Sequence, residues 1–482
     1  MVNETRGEMV RRRADLARRS GTSMERRPTS DLALPVHSSG PTGIARMRWP
    51  DRVPAWLTFV LPLLAAIPIG LGAGYLPVLT AAAVFGGVIL IALMVRIEWA
   101  VLTVVAAAAF DDYLLGLDPR LAKGLAALAI GAWLLRRSAG PLHRKPYSPV
   151  MMTALAFVVV LLASTVAHAN GTTGQAVLIR YAGFLALLVV LADTMRGGIL
   201  APATVARAYV FSSAVASLFG IGSYLLGYDR RVGGPIGDPN DFAFFLLTAL
   251  PLAIALRKQG PRSRRTWPYD LSAFVITLAI VGTLSRGAML AMAAMALFAV
   301  VVGMVRLRAA LVGVVVLAAG LGITMAAVPE MVATSLQQKD YVAGQNVSER
   351  LDLWTAAGQM TVENPLLGLG PGSFALYHRD YLGALPADVN HRLDVAHNTY
   401  LEVSSELGFL GLGMFLLLLL MAFGGAWSGW RRTRDPVAAA VCAALVGAVI
   451  SATFVTEQYA LPFWLLAAFG AAFWVSEPER PE

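Results

Sequence analysis

The sequence predicts an all-α integral membrane protein of about 12–14 transmembrane helices, with one long loop between two of them. Three observations predict this fold class. Hydrophobic residues make up 57% of the 482 residues and charged residues only 14%, whereas a soluble domain is about one quarter charged. The apolar residues come in runs of about 20, the length that crosses a bilayer. The basic residues cluster in the gaps on one side of these runs.

The chain divides into five predicted regions. Residues 1–53 are rich in Arg, Ser and Pro without an apolar period, which predicts a disordered cytoplasmic tail. Transmembrane helices are predicted over 54–327 and 399–476, with an extracytoplasmic loop at 328–398 between them and a cytoplasmic tail at 477–482. The approximate cores of the predicted spans are 55–75, 77–95, 98–115, 119–136, 149–167, 175–194, 203–226, 240–256, 269–284, 286–305, 308–327, 399–425, 436–456 and 459–476.

The distribution of basic residues predicts the orientation of these spans. Under this count, five basic clusters share one side, which the positive-inside rule assigns to the cytoplasm, so both termini are expected there. These clusters are the N-terminal tail, Arg136 to Lys145, Arg257 to Arg265, Arg306 with Arg308, and Arg431 to Arg434. The net charge of +9 is then explained by basic loops facing anionic lipid, not by binding to nucleic acid. The single cysteine, Cys442, excludes an internal disulfide and a cysteine-based metal site.

The opposite side contains arginines that break the positive-inside trend. Arg231 lies in "RVGGPIGDPN", a turn whose Asp238, Asn240 and Asp241 are candidate caps of the next helix. Arg286 lies in "TLSRGAML", between two apolar runs, and Arg180 lies a little inside the outer boundary in "VLIRYAGF". An arginine at such a position is unfavourable by several kcal/mol unless it snorkels or is paired. Snorkelling or lipid contact is the alternative explanation for all three residues.

Polar residues also cluster in and after the long loop. Arg350 lies in "ERLDLWTAA", which predicts a short interfacial helix. His397 and Asn398 lie immediately before an apolar run, where the histidine is either a helix cap or a functional group. The other loop histidines, His378 and His391, are interpreted as ordinary loop residues. Glu402 and Glu406, four residues apart in the following helix, are expected to cap that helix or to pair with an arginine.

Four blocks of the sequence resemble the O-antigen ligase and O-antigen polymerase superfamily over roughly residues 170–425. They are "RVGGPIGDPN", "SRGAML", "ERLDLWTAAGQMTVENPLLGLGPGSF" and "AHNTYLEVSSELGFLG". The family's ligases share His, then Asn, Ser or Gln, nine residues, Gly, two residues, and Gly, Thr or Tyr. His397, Asn398, Gly408 and Gly411 fit this pattern, and Arg286 with Leu290 fits the ligases' Arg-x-x-x-Leu.

The resemblance implies a multi-pass glycosyltransferase of the bacterial inner (cytoplasmic) membrane, with a GT-C-like fold and an extracytoplasmic or periplasmic active site. It implies transfer of a glycan from an undecaprenyl-diphosphate donor to a hydroxyl of lipid A–core or another glycolipid. The reaction would be inverting and independent of metal and cofactors. The implied partners are the lipid-linked glycan, the acceptor and membrane lipids, and no nucleic acid.

The resemblance also suggests roles for individual residues. His397 would be the general base, since a neutral imidazole accepts a proton near neutral pH. Arg231 and Arg286 would bind the departing diphosphate, with Arg180 and Arg350 as second candidates, because guanidinium groups stay charged and bind phosphate in a bidentate manner. Asn240, Asn398, Gly408 and Gly411 would support the motifs. No acidic pair of the metal-binding kind is expected, because the adjacent Asp111 and Asp112 lie outside the matched blocks.

Three alternatives stay open. The first is an O-antigen or exopolysaccharide polymerase that joins lipid-linked repeats, which has the same architecture and a different acceptor. The second is a transporter of lipid-linked glycans, which is expected to show internal repeats and a mid-membrane charged cavity. The sequence shows no clear repeat, and its polar residues lie on one side. The third is a non-catalytic scaffold, for which the sequence offers no positive feature.

Overall fold

The computed structural model describes residues 77–138, 148–259, 266–308, 349–382 and 394–474, together with residues 311 and 322. Contacts divide the chain after Ala81, within the first described helix, and the packing described below concerns the unit from Ala82 onward. The predicted tails 1–53 and 477–482, the span 55–75, nearly all of the span 308–327 and His391 lie outside the described residues.

The described residues form helices and contain no β-strand. The first half comprises α1 (Pro77–Val95), α2 (Ile97–Ala107), α3 (Asp111–Leu117), α4 (Leu121–Ser138), α5 (Pro149–Ala167), α6 (Gly171–Arg196) and α7 (Pro202–Leu225). The second half comprises α8 (Pro239–Gln259), α9 (Trp267–Gly282), α10 (Arg286–Val301), α11 (349–363), α12 (Ser373–Tyr381), α13 (Thr399–Thr433), α14 (Pro436–Ser451) and α15 (Leu461–Phe473).

The helices have the length and composition of membrane spans. Within the described ranges, six segments are long and apolar enough to cross a bilayer: Ile97–Leu117, Pro149–Ala167, Gly171–Arg196, Pro202–Leu225, Pro239–Gln259 and Thr399–Thr433. Five shorter apolar helices accompany them. This confirms the prediction of an all-α integral membrane protein. The predicted span 98–115 corresponds to the segment Ile97–Leu117, within which a 3₁₀ turn at Ala108–Phe110 separates α2 from α3.

Several helices begin at side chains that cap them. The Asp435 carboxylate accepts a hydrogen bond from Val437 N at 2.8 Å at the start of α14, and the Ser148 hydroxyl accepts one from Met151 N at 3.4 Å at the start of α5. Such caps satisfy backbone donors that have no partner within the helix. A proline follows each cap directly, where its missing N–H is no loss.

Helix α13 is central to the bundle. It packs against α5, α14 and α15, and α14 packs in turn against α8 and α10. Small residues allow close contact between α13 and α15, since a Cβ at Gly470 would lie 2.4 Å from the Ala422 carbonyl oxygen. Close backbone approach at small residues is the usual way in which helices associate in a membrane.

The bundle has two chemically different ends. At the basic end, the last turns of α4, α8 and α13 contain Arg136, Arg137, Arg257, Lys258, Arg431 and Arg432. Two salt bridges lie there, Arg137 with Asp193 at 3.7 Å and Arg257 with Asp270 at 3.0 Å. At the opposite end, here called the loop end, α8, α10 and α13 begin and α7, α9 and α14 end. The loop end contains the candidate site.

Candidate active site

The turn between α7 and α8 holds Arg231 in place. Arg231 Nε donates to the Thr283 carbonyl oxygen at 2.7 Å, and Nη2 donates to Asn240 Oδ1 at 3.4 Å. Val232 N donates to the Gly282 carbonyl at 3.1 Å, which ties the turn to the α9–α10 connection. Both acceptors of Arg231 are neutral, so these hydrogen bonds fix the guanidinium without cancelling its positive charge.

Asp238 is the cap of α8 among the three candidates predicted for this role. Its Oδ1 accepts hydrogen bonds from Asn240 N at 2.6 Å and from Asp241 N at 3.2 Å. Asn240 does not cap the helix; its side-chain oxygen accepts the hydrogen bond from Arg231. The turn that leads to Asp238 needs glycine at Gly237, where φ is 82° and an added Cβ would touch the Asp112 carboxylate. The carboxylate of Asp238 therefore faces the site from a fixed backbone.

Arg350 and His397 interact electrostatically with this turn. Burial lowers the pKa of His397 below its ordinary value, the positive charge of Arg350 lowers it further, and the negative charge of Asp238 opposes both effects. Burial likewise lowers the pKa of Arg231 and of Arg350, and the charge of Asp238 opposes this in both cases. Three of the predicted site residues, Arg231, Arg350 and His397, thus lie within electrostatic range of the charge of Asp238.

The backbone of His397 is unusual. Its φ is 49°, in the left-handed region that is unfavourable by about 1–2 kcal/mol for a residue with a Cβ. Such strain is found mainly at functional sites, where the surrounding structure enforces it. The next residue, Asn398, caps α13: its Oδ1 accepts from Tyr400 N at 3.0 Å and from Leu401 N at 3.1 Å. Asn398 thus supports the site by starting the helix directly after the histidine.

Arg286 and Arg180 lie at the same end, in different surroundings. Arg286 is the exposed first residue of α10, three residues after Thr283, whose carbonyl accepts from Arg231. Gly287 beside it packs against Phe454 of the α14–α15 connection, since a Cβ there would lie 2.8 Å from the phenylalanine. Arg180 lies on α6 with its guanidinium 6.0 Å from the centre of the Tyr459 ring. The diphosphate-binding roles of both arginines stay predictions.

Glu402 and Glu406 are buried, and their hydrogen-bond partners are neutral groups. Glu402 Oε2 accepts from Ala396 N and Thr456 Oγ1, and its Oε1 accepts from Gln458 Nε2. Glu406 Oε2 accepts from Tyr459 OH at 2.8 Å. The expectation that these residues cap the helix or pair with an arginine is wrong, because Asn398 is the cap and both carboxylates attach neighbouring loops to α13.

The motif glycines have a backbone role. Gly408 has φ 66° and ψ −172° inside α13, and an added Cβ would lie 2.3 Å from the Leu366 carbonyl oxygen. The break lets Phe409 N donate to the Pro365 carbonyl at 2.7 Å, while Leu369 N and Gly370 N donate to the carbonyls of Ser405 and Glu406. At Gly411 a Cβ would lie 2.1 Å from Leu407 Cβ. The two motif glycines therefore allow a kink in α13, and the loop 364–372 packs against this kink.

Two acidic side chains at the loop end, those of Glu457 and Asp112, were not among the site residues predicted from the sequence. Glu457, in the α14–α15 connection, is buried, and its side chain is close enough to Asp241 to share a proton. Burial raises the pKa of Glu457 well above its ordinary value, and the charge of Asp241 adds to this. A glutamate between two apolar runs was the available signal. Asp112, set aside in the sequence analysis, packs against Gly237 next to Asp238.

His378 packs inside the loop end and lies on a helix. His378 is not an ordinary loop residue as predicted: it is buried on α12, with Nδ1 2.8 Å from the Phe374 carbonyl oxygen and its ring stacked on Phe374. The described part of the chain contains no group of three or more His, Cys, Asp and Glu side chains placed to hold a metal ion.

The fold and the site together define a polytopic membrane protein with a histidine, two arginines and buried carboxyls at one end of its helices. Residues 271–416 match the family model described as O-Antigen ligase. This match confirms the resemblance to the O-antigen ligase and polymerase superfamily, and it includes Arg286, Arg350, His397, Asn398, Gly408 and Gly411. Arg180, Arg231 and Asn240 precede the matched segment. No curated protein matches the chain. The family match indicates a glycosyltransferase-like membrane enzyme that acts on lipid-linked glycans.

Proposed function

We propose that this protein transfers a glycan from an undecaprenyl-diphosphate donor to an acceptor hydroxyl. The observation that carries the proposal is the grouping of His397, Arg231 and Arg350 around Asp238 at one end of the bundle. A base and a diphosphate site are the two elements that such a transfer needs, because the donor already contains an activated leaving group. Histidine supplies the first and arginines the second.

His397 is the base in this proposal. Burial and the charge of Arg350 lower its pKa, so the imidazole is neutral at physiological pH and has a free lone pair. The acceptor oxygen forms a bond to the anomeric carbon while the bond from that carbon to the diphosphate oxygen breaks. The hydroxyl proton moves to the imidazole, and the electron pair of the broken bond leaves on the diphosphate. This direct displacement inverts the anomeric carbon and uses no metal.

Arg231 and Arg350 bind the diphosphate as it leaves. The guanidinium of Arg231 is fixed by the Thr283 carbonyl and Asn240, so little reorganisation is needed when negative charge develops. The positive charge of Arg350 also favours the neutral form of His397 before transfer. Arg286, at the start of α10 beside the Thr283 turn, and Arg180, stacked on Tyr459, extend the positive surface toward the rest of the donor.

The loop end faces the periplasm in this proposal, in a protein of the inner membrane. Supporting it, the basic last turns of α4, α8 and α13 lie at the opposite end, which the positive-inside rule assigns to the cytoplasm. The spacing of His397 to Gly411 matches the ligase consensus, so we favour lipid A–core or another glycolipid as the acceptor. A polymerase would use the same chemistry with a second lipid-linked repeat as acceptor.

The proposal is tested by substituting the three central residues in the full-length protein. We expect His397→Ala, Arg231→Ala and Arg350→Ala each to lower transfer by at least 100-fold in proteoliposomes that contain lipid-linked glycan and an acceptor glycolipid. Arg257→Ala is the matched control, because it removes an arginine that pairs with Asp270 at the basic end. Retention of wild-type turnover by the His397 variant would show that the proposed chemistry is wrong.

A further inference from the structure

Ala396, the residue that precedes His397, is attached to two different helices through its backbone. Ala396 N donates to Glu402 Oε2 at 2.8 Å, and the Ala396 carbonyl accepts from Trp354 Nε1 at 3.0 Å. Glu402 belongs to α13 and Trp354 belongs to α11. The backbone N–H and C=O of Ala396 are therefore both hydrogen-bonded, one to a side chain later in the sequence and the other to a side chain earlier in the sequence.

The Glu402 carboxylate is a rigid attachment point. It is 3% exposed and accepts two further hydrogen bonds at 2.9 Å, from Thr456 Oγ1 to Oε2 and from Gln458 Nε2 to Oε1. A buried carboxylate with three donors has little freedom to move, because each movement leaves a buried polar group without a partner. The position of Ala396 is thus defined by the α14–α15 connection as well as by α13.

Trp354, which donates to Ala396, lies on the same helix as Arg350. The two residues are four positions apart on α11, so their side chains lie on one face of that helix. Helix α11 is itself held against α13, since the hydroxyls of Thr361 and Ser404 are 3.0 Å apart. A small hydrophobic cluster of Leu353, Ala357, Met360, Phe374 and Ala396 packs around this contact. One helix face and one hydrogen bond therefore link Arg350, through Trp354, to Ala396 and the adjacent His397.

We propose that Glu402 and Trp354 are positioning residues that set the imidazole of His397 relative to the guanidinium of Arg350. The inference rests on the proposed function, because it gives His397 the role of base. The left-handed backbone of His397 makes such attachment necessary, since without it the residue would relax to an ordinary conformation and turn its ring away. A displacement of about 1 Å is enough to lower a catalytic rate by about 100-fold.

The experiment uses Trp354→Phe and Glu402→Gln in full-length protein reconstituted in proteoliposomes. Trp354→Phe removes the N–H donor and keeps an aromatic ring, so we expect kcat to fall about 5- to 10-fold. Glu402→Gln presents an amide N–H toward existing donors, so we expect a fall of about 100-fold. KM for the lipid-linked donor should change by less than about threefold in Trp354→Phe. In the His397→Ala background, Trp354→Phe should lower the residual rate no further, because the base to be positioned is already gone.

The pH profile separates positioning from a merely structural role. Arg350→Gln should move the acid limb of the profile to higher pH in the wild-type background and by a smaller amount in the Trp354→Phe background. The charged groups that act on His397 are Arg350 and Asp238, with Arg231, Asp241 and Glu457 around them. An equal shift of the acid limb in the wild-type and Trp354→Phe backgrounds would overturn the positioning role of Trp354.

A matched control removes the same chemical group elsewhere. Trp133 Nε1 donates to Asp193 Oδ2 at 2.7 Å at the basic end, so Trp133→Phe should leave transfer unchanged. Wild-type kcat in both Trp354→Phe and Glu402→Gln, with an inactive His397→Ala, would overturn the positioning role and leave the proposed function intact. A fully active His397→Ala would overturn the proposed function itself. If Glu402→Gln does not fold, Thr456→Val, which removes one donor to Glu402, replaces it with a smaller expected fall in kcat.

Discussion

Substitution of Gly408 by alanine is expected to destabilise the protein strongly. The backbone of Gly408, with φ 66° and ψ −172°, lies in a region that is adopted almost only by glycine. A Cβ would lie 2.3 Å from Leu366 O, 2.4 Å from Leu366 C and 2.6 Å from Leu367 N, all of them backbone atoms. The backbone strain contributes about 1–3 kcal/mol, and displacement of the packed loop contributes about 1–3 kcal/mol more.

The same helix provides the control for this substitution. Gly413 has regular helical geometry, and nothing lies within 4 Å of an added Cβ, so Gly413→Ala should stabilise the helix by about 0.5–1 kcal/mol. The assay is the fraction of monodisperse protein in detergent after heating, measured by size-exclusion chromatography for both variants. We expect Gly408→Ala to lose its folded peak at a clearly lower temperature than wild type. If Gly408→Ala and Gly413→Ala lost the folded peak at the same midpoint temperature, the kink described for α13 would be refuted.

The remaining predictions concern pH and the start of α13. Transfer should be constant above the pKa of His397 and fall about tenfold per pH unit below it, because only the neutral imidazole accepts a proton. Since burial and Arg350 lower this pKa, activity should persist to lower pH than an ordinary histidine allows, as a pH–rate profile will show. Arg350→Gln should move the acid limb of the pH–rate profile to higher pH, and Asp238→Asn should move it to lower pH. A shift of the limb in the same direction in both variants would contradict the assigned effects of the two charges on His397. Asn398→Ala should lower the stability by about 1 kcal/mol through loss of the helix cap, whereas Asn398→Ser should retain most of it in thermal unfolding.

The helices could be predicted from sequence because lipid imposes a simple rule on them. A run of about 20 apolar residues must form a helix to satisfy its backbone. The predicted span 149–167 has the bounds observed for α5, and the spans predicted at 203–226 and 240–256 agree with α7 and α8 within a few residues. The interruption between α2 and α3 escaped prediction, because a short 3₁₀ turn leaves the apolar composition unchanged.

The residues of the candidate site were selected from the sequence by two signals. A charged or polar group at a membrane boundary is unfavourable unless it is paired or reaches water, which drew attention to Arg231 and His397, and the resemblance to the O-antigen ligase family suggested their roles. Their mutual arrangement depends on contacts between distant parts of the sequence, such as Arg231 with Thr283, and no local pattern indicates these. For the same reason the electrostatic effect of Arg350 on His397 and the burial of Glu457 near Asp241 were not predicted from the sequence.

The left-handed conformation of His397 has a practical consequence for work on this protein. Glycine at this position would relieve the conformational strain and remove the imidazole at the same time, with a net gain in folding stability of about 0.5–1 kcal/mol. His397→Gly should therefore survive purification better than the native protein and still retain a bound donor that it cannot turn over. If His397 is the base, as proposed, the glycine variant is the form best suited to capturing the protein with its donor bound.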